Sequence, residues 1–265
     1  MQIDHARIKE VLRTNPPVDG CAAYYRQLDA KQLRIGPLVP EFQDVLRKAL
    51  KPSMCVLDIG CGRGDTLLDL AGLFRHGTGI DESQDVMLAM AERARQDRQI
   101  TNVDFRWAEA RHLPFEDECM DLVFSERGPM GHQDVTLIEA LRVLRSGGLI
   151  LVETIGELNS WQTAAAFTDG GAKPVTALKV LETERERFAR LGVSIQVLAS
   201  RIETIQFPDI NEWLTSQCYT WNEPRRKKLD ALTPAQFERF AEIAGDSQGR
   251  IKVTRHTVWI GGAKQ

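Results

Sequence analysis

An α/β fold with a doubly wound, mostly parallel sheet is what this chain of 265 residues predicts. Short apolar runs alternate with amphipathic helical stretches between residues 53 and 155. The first run stops at a glycine-rich turn that leads straight into a helix, and no internal repeat or low-complexity tract interrupts the order. Hydrophobic residues make up 43% and charged residues 27%, as in ordinary soluble globular proteins. The length suits one sizeable core with insertions, or two small domains.

The first strand and its turn organise the rest. Cys55 to Ile59 is an apolar run preceded by Pro52-Ser53, which reads as a buried parallel strand. Gly60-Cys61-Gly62-Arg63-Gly64-Asp65 follows, and then a helix over Thr66 to Phe74 with Leu67, Leu70, Ala71 and Phe74 on one face. His76-Gly77 supplies its stop. A strand, a glycine turn and a helix aim backbone N–H groups and the positive helix end at whatever sits above the turn. This is the layout of a nucleotide-type site. A Walker phosphate loop needs GxxxxGK[ST], and no Lys-Ser or Lys-Thr follows these glycines. The dinucleotide fingerprint needs a third glycine where this chain has Asp65. What remains is Asp58-x-Gly60-x-Gly62-x-Gly64. A carboxylate there repels a pyrophosphate but suits a ligand carrying an ammonium and a sulfonium.

In this loop the sequence resembles the class I S-adenosylmethionine-dependent methyltransferases, whose first motif looks like it. The resemblance implies a Rossmann-like seven-stranded sheet with an antiparallel last strand, S-adenosyl-L-methionine as cofactor, and helical lid insertions. Later stretches add to it. After the third strand, Ala108-Glu109-Ala110 and Leu113-Pro114-Phe115 are similar to the quinone-precursor type of the family. Glu139 to Leu149, Glu-Ala-Leu-Arg-Val-Leu-Arg-Ser-Gly-Gly-Leu, is what the family shows between its fourth and fifth strands. The matches run collinearly through residues 54 to 155.

The elements follow in order. Residues 1–52 are helical with breaks; Ile3 to Leu12 and Pro40 to Leu50 carry helical spacing around the loop Asn15 to Gly20. The resemblance makes this segment an N-terminal lid, and Tyr24-Tyr25 either belong to it or pack a helix against the core. Residues 53–265 form the binding domain, with insertions at about 157–175 and 208–249. Thr78-Gly79-Ile80 is the second strand and ends in Asp81-Glu82. Asp81 stands close to the ~20-residue interval at which a doubly wound fold sets an acid against ribose hydroxyls. Glu82 is counted with it as a cofactor residue. A helix follows from about Gln84 to Arg98, capped by Ser83, with Met87, Met90, Ala91 and Ala94 inward. Val103, Phe105 and Trp107 alternate with polar neighbours as the third strand. The resemblance assigns Glu109 to the adenine amino group and the Ala110 N–H to a ring nitrogen.

Asp121 to Phe124 is the fourth strand, and Ser125-Glu126-Arg127-Gly128-Pro129 lies beyond its carboxyl end, where open α/β sheets bind ligands. Ser125 is grouped with the cofactor residues. Glu126 and His132 are the candidate proton acceptors, because His titrates near neutrality and a desolvated Glu can be raised toward it. The Asn-Pro-Pro-Tyr type of motif used by several amino-group methyltransferases is absent. Asp134 to Leu144 is a helix, Leu149 to Thr154 a fifth strand, Thr176 to Leu191 a helix, and Val193 to Ile205 strand-like. Glu182 to Arg187 reads as a solvated charged face. Helices open at Phe207-Pro208 and at Thr233-Pro234, and Ile251 to Ile260 alternates as the last strand. Trp161, Trp213 and Trp221 either wall an apolar substrate pocket or pack the lid.

With a net charge of -3, the chain lacks the broad basic field that holds nucleic acid, so nucleic acid is disfavoured as a partner, although Arg225-Arg226-Lys227-Lys228 could meet an anion. The five cysteines form no CxxC pair, which predicts no metal site and a reducing, cytoplasmic setting. No run approaches the ~18 to 20 apolar residues of a membrane span, so the expectation is neither secretion nor membrane insertion. The expected function is in-line methyl transfer to a small molecule. A ribosomal or transfer RNA methyltransferase and a non-catalytic cofactor-binding module are the alternatives, and a nicotinamide oxidoreductase ranks last because of Asp65.

Overall fold

The computed structural model describes residues 6, 33–35, 41–82, 87–131, 133–168, 179–220 and 228–265. The expectations for Tyr24-Tyr25, Ser83, His132, Trp221 and Arg225 to Lys227 lie outside these residues. The chain divides into two compact units. The larger holds residues 38–156, 178–201 and 257–265, and the smaller 1–37, 157–177 and 202–256.

The larger unit contains helix α1 (Phe42–Ala49), strand β2 (Cys55–Ile59), helix α2 (Asp65–Asp69), β3 (His76–Asp81), α3 (Met87–Asp97), β4 (Val103–Trp107), β5 (Met120–Glu126), α4 (Asp134–Val143), β6 (Leu144–Ile155) and α6 (Val180–Arg190). The first parts of β7 (Val193–Phe207) and the last part of β8 (Ile251–Lys264) also belong to it. Its seven strands lie in the order β7-β8-β6-β5-β2-β3-β4. β2 pairs in parallel with β3 and β5, β3 with β4, and β5 with β6, while β8 runs antiparallel to β6. This is the Rossmann-like sheet that the sequence predicts. In the smaller unit β1 (Leu33–Ile35) pairs antiparallel with Thr204 to Gln206 of β7, a strand that sequence reasoning did not foresee.

Alternation along the strands sends side chains to two covered faces. Leu57 and Ile59 join Val123, Ile150 and Val152 on one face, against Leu137, Ala140 and Leu141 of α4 and Phe188 of α6. Val56, Leu122, Phe124 and Leu151 take the other, against Phe42 and Leu46 of α1 and Leu67 and Leu70 of the α2 segment. α1 starts at a capping box, with the Asp44 carboxylate accepting the Glu41 N–H at 3.1 Å.

Several boundaries differ from expectation. The helix after the glycine turn is only five residues long and continues as a 3-10 turn over Ala71–Leu73, although Leu67, Leu70, Ala71 and Phe74 are all buried as predicted. His76 and Gly77 belong to β3 and do not end the helix, because β2 needs a full-length parallel neighbour. Trp107 is 49% exposed at the edge strand and donates its indole N–H to Glu82 O at 3.1 Å. β6 begins at Leu144, before Gly147, and its register against β5 shifts there. The Glu182 to Arg187 stretch is not wholly solvated. Glu182 and Arg185 pair on the outside, but Glu184 and Arg187 are buried against each other.

The smaller unit holds α5 (Trp161–Phe167), α7 (Ile210–Thr220) and α8 (Pro234–Ala244). Thr233 caps α8 by accepting the Gln236 N–H, and the Asp209 carboxylate caps α7 by accepting from Asn211 and Glu212. Trp213 is buried against Phe240, ring centroids 4.2 Å apart, so packing is its role. Trp161 stays half-exposed and donates to the Thr254 hydroxyl at 2.9 Å.

Candidate functional site

The chain runs from β2 outward through β3 and β4, then returns to the other side of β2 as β5. The crevice between the carboxyl ends of β2 and β5 is therefore the topological switch point, where open sheets bind ligands. The glycine turn fills its floor. The N–H groups of Gly60 and Cys61 both donate to Ile80 O, at 2.8 and 2.9 Å, which fastens the turn to the end of β3. Gly60, Gly62 and Gly64 have φ of 79°, 52° and 71°, the left-handed region that glycine enters without penalty.

Each of the three glycines answers a different demand. A Cβ on Gly60 would lie 2.6 Å from Pro129 Cδ, so the Gly128-Pro129 loop sits directly on it. One on Gly64 would lie 2.3 Å from Phe105 Cζ, so this glycine lets β4 close against the turn. One on Gly62 would meet nothing within 4 Å; it would stand in open space. Asp65 begins α2 and pairs with Arg63 at 2.5 Å.

Asp81 Oδ2 accepts the Gly62 N–H at 2.9 Å, which turns this carboxylate toward the glycine loop. Asp58 is 3% exposed and its Oδ1 has no hydrogen-bond partner among the described residues. Burial, and then the Glu126 and Asp81 carboxylates beside it, push the Asp58 carboxyl well above the usual carboxylate range. The same burial, with Asp58 and Asp81 nearby, raises the Cys61 thiol and leaves it inert as a nucleophile.

The Asp58 shift has a consequence for stability. Unfolded, the group titrates near 3.8; folded, it keeps its proton to higher pH. The folded chain then holds a proton that the unfolded chain has released, so this contribution is full below the unfolded value. It is lost as pH rises through the folded one, at about 1.4 kcal/mol for each pH unit between the two. Asp58→Asn is expected to flatten that decline in a plot of Tm against pH. An unchanged slope would assign the decline to another group.

A cavity of about 590 Å³ opens above the turn, within the range of small-molecule sites. Gly60, Ile80, Asp81, Glu82, Ala108 and Ala110 line one part of it, and Arg111, Arg127, Gly128, Pro129, Gln133 and Thr136 the rest. Of the predicted residues, Gly60, Asp81, Glu82 and Ala110 thus come together. Glu109 points its carboxylate to Arg111, 3.1 Å away. Ser125 lies beneath the loop, fully buried, and donates to Ile59 O at 2.6 Å; it ties β5 to the end of β2. Glu126 accepts the Thr66 hydroxyl at 2.7 Å, which in turn accepts from Gln43 at 3.1 Å, so this carboxylate is anchored to the start of α2.

Sequence reasoning missed the support of the opposite wall. Thr136 donates to Pro129 O at 2.9 Å, and the buried Arg187 of α6 donates to Met130 O at 2.8 Å and Gln133 O at 2.9 Å. Arg190 adds a contact of 2.7 Å to Asp134. Only the three-residue spacing of Glu184 and Arg187, on the same helix face as the apolar Phe188, hinted at this.

A glycine turn at the switch point of a parallel sheet, flanked by acids and bearing no phosphate-binding lysine, has the layout of a nucleoside-binding α/β protein. A family model described as "Methyltransferase domain" matches residues 50–212, more than half of the chain, and the chain belongs to that family. The ubiquinone/menaquinone biosynthesis C-methyltransferase UbiE of Rhizobium etli is 34% identical over 115 residues, 41% of this chain and 44% of that protein. The protein of the same description from Bartonella tribocorum is 35% identical over 102 residues, 36% of this chain and 39% of its own length. The matches thus span less than half the length of these relatives. Among solved structures, the YcgJ protein of Bacillus subtilis aligns with a TM-score of 0.61 at 18% identity, covering 84% of this chain and 98% of that one. A geranyl diphosphate methyltransferase in complex with SAM aligns at 0.53 and 16% identity, covering 99% and 96%. These two share the fold. Among the described residues no cluster of His, Cys, Asp and Glu is arranged to hold a metal ion, and no helix is long and apolar enough to cross a membrane.

Proposed function

We propose that this chain transfers a methyl group from S-adenosylmethionine to a small-molecule acceptor. The observation that carries the reading is the acid-flanked glycine turn: a carboxylate held to the Gly62 N–H at 2.9 Å, a buried Asp58 oxygen without a hydrogen-bond partner among the described residues, and open space where a Gly62 Cβ would stand. These residues fit the cofactor. Buried carboxylates that repel one another are stabilised by a neighbouring cation, and they disfavour a pyrophosphate. The relatives, C-methyltransferases of ubiquinone/menaquinone biosynthesis, support a small molecule as acceptor.

When bound, S-adenosylmethionine supplies a methyl carbon already activated by its sulfonium. The chain's residues then have a positioning task. Asp81 takes the ribose hydroxyls, Ala110 offers its N–H to the adenine edge, and Glu109 accepts from the amino group. Asp58 faces the charged amino-acid end across the turn. Glu82 borders the ribose, Gly62 and Gly64 shape the floor, and Ser125 holds it from below. The Arg127 to Pro129 loop closes the acceptor side and excludes water. Glu126 and His132 are the proposed proton acceptors on that side. The free thiols of Cys55, Cys61 and Cys119 fit a reducing, cytoplasmic setting.

Asp81→Ala is expected to weaken S-adenosylmethionine binding by ~1 to 3 kcal/mol, the scale of hydrogen bonds lost to a charged group. Calorimetry giving an unchanged affinity would remove Asp81 from the site. The function itself is tested by incubating the chain with methyl-labelled S-adenosylmethionine and a metabolite extract. Labelled small molecules heavier by one methylene are expected. Label only in RNA, with salt-sensitive binding, or cofactor binding without any turnover, would refute the small-molecule reading.

A further inference from the structure

Arg127 has a backbone that an arginine does not choose. Its φ is 55°, in the left-handed region, and it is held there by its N–H donating to Glu153 O at 2.8 Å. Strained non-glycine residues concentrate at ligand clamps, where the surrounding structure over-determines them. Of the non-glycine residues with positive φ among those described, Gln99, Glu118, Arg127 and Ser160, Arg127 lines the cavity.

The guanidinium is loosely held. Its nearest carboxylate oxygens are on Glu153 at 3.6 Å and Glu126 at 3.9 Å, beyond hydrogen-bond reach, and it makes no hydrogen bond among the described residues. The side chain is 48% exposed on the cavity wall. By contrast, the other arginine of the wall, Arg111, is occupied by Glu109 at 3.1 Å. A guanidinium carries five donors in a rigid fork that matches a carboxylate or a phosphate in two parallel bonds. Arg142 uses that fork fully, bonding to Glu139, Asp117 and two backbone carbonyls.

Arg127 also stands apart from the acids that line the cavity. Asp81 and Glu82 stand at the end of β3, and Arg127 at the end of β5, with β2 between them. Strands two places apart are separated by ~10 Å, roughly the span of one small molecule laid beside another. The acids at the end of β3 suit a sulfonium nucleoside, and the Arg127 guanidinium, with Glu153 and Glu126 beyond hydrogen-bond reach, keeps its donors for a ligand of opposite sign.

From this geometry we propose that Arg127 is a specificity-determining residue that grips an anionic handle, a carboxylate or a phosphate, on the methyl acceptor. The word acceptor rests on the methyl-transfer reading; capture of the anion can be read separately from it. The strained backbone fixes where the guanidinium emerges, next to the Gly128-Pro129 loop that sits on Gly60. A handle bound there places the rest of the acceptor over the glycine turn.

The test is a titration of benzoate, phenyl phosphate and benzyl alcohol, followed by ligand-observed NMR, into the chain alone and into the chain saturated with S-adenosylhomocysteine. At least one anion is expected to bind about tenfold or more tighter than the neutral alcohol, the scale of charge-assisted hydrogen bonds. The tighter of the two anions tells carboxylate from phosphate. R127G is expected to erase the preference while the chain still unfolds in one cooperative transition, because glycine accepts this φ freely. Equal binding of anion and alcohol in the unmodified chain, or a preference that survives in R127G, would overturn the proposal. If S-adenosylhomocysteine does not bind but the anion preference is present and lost in R127G, the methyl-transfer reading falls and the anion site stands.

Discussion

Arg187→Met is expected to destabilise the chain by ~3 to 5 kcal/mol, because removing one partner of a buried ion pair leaves the other charge uncompensated. Arg187 is 7% exposed and lies beside Glu184, which is 1% exposed. Its remaining donors go to the carbonyls of Met130 and Gln133, which bracket the loop between β5 and α4. A Met side chain of similar volume keeps the packing against Phe188 but satisfies none of these oxygens. The loop also presses on β6, since a Cβ on Gly131 would stand 2.1 Å from Thr154 Oγ1. Losing the clamp should therefore loosen the cavity wall as well as the fold. Urea unfolding reads the first effect. Glu184→Gln combined with Arg187→Met should recover part of the loss, because the two changes act on one interaction. A single variant within about 1 kcal/mol of the unmodified chain would show that the pair is not a structural clamp.

Gly60→Ala is the second large effect. At φ 79° an alanine costs ~1 to 2 kcal/mol through its Cβ. That Cβ would also stand 2.6 Å from Pro129 Cδ and 3.2 Å from Gly128 Cα, and overpacking of this kind adds ~1 to 3 kcal/mol. Together these predict a loss of ~2 to 5 kcal/mol. Gly62→Ala gives the contrast. Its φ of 52° carries the backbone cost alone, since nothing lies within 4 Å. Its Cβ would stand in open space on the residue that donates to Asp81, so it should cost ligand affinity more than stability. Thermal melts with and without S-adenosylhomocysteine separate the two. Equal losses of stability would mean that the Pro129 loop yields, and that it does not brace the turn.

Much of this is legible in the sequence. Val56 to Asp65 and Asp81 announce a strand, a turn and an acid at fixed intervals, because backbone chemistry at a glycine turn is local and its demands are written in adjacent residues. The mostly parallel sheet followed from apolar runs alternating with helical stretches and from the family resemblance carried through Leu149. The wall opposite was not legible. Arg187 reaches the Met130 to Gln133 loop from 54 residues away, and a charged run offers no sign that one of its guanidiniums turns inward. Arg127 shows the same limit. Its identity could be read, but its left-handed backbone is imposed by Glu153 on the neighbouring strand. The short α2 and the early start of β3 were missed because tertiary pairing with β2 outweighs local helix signals. Trp107, which alternates correctly with its neighbours, is half-exposed because β4 is the last strand on its side.

The central claim is that the Gly60 to Gly64 turn, with Asp58 and Asp81 beside it, receives a cationic sulfur nucleoside. The most direct measurement is a pair of calorimetric titrations into the unmodified chain, one with S-adenosylmethionine and one with NAD. Saturable single-site binding of the first and no heat from the second is the predicted result. Binding of NAD, or no binding of S-adenosylmethionine, would contradict it.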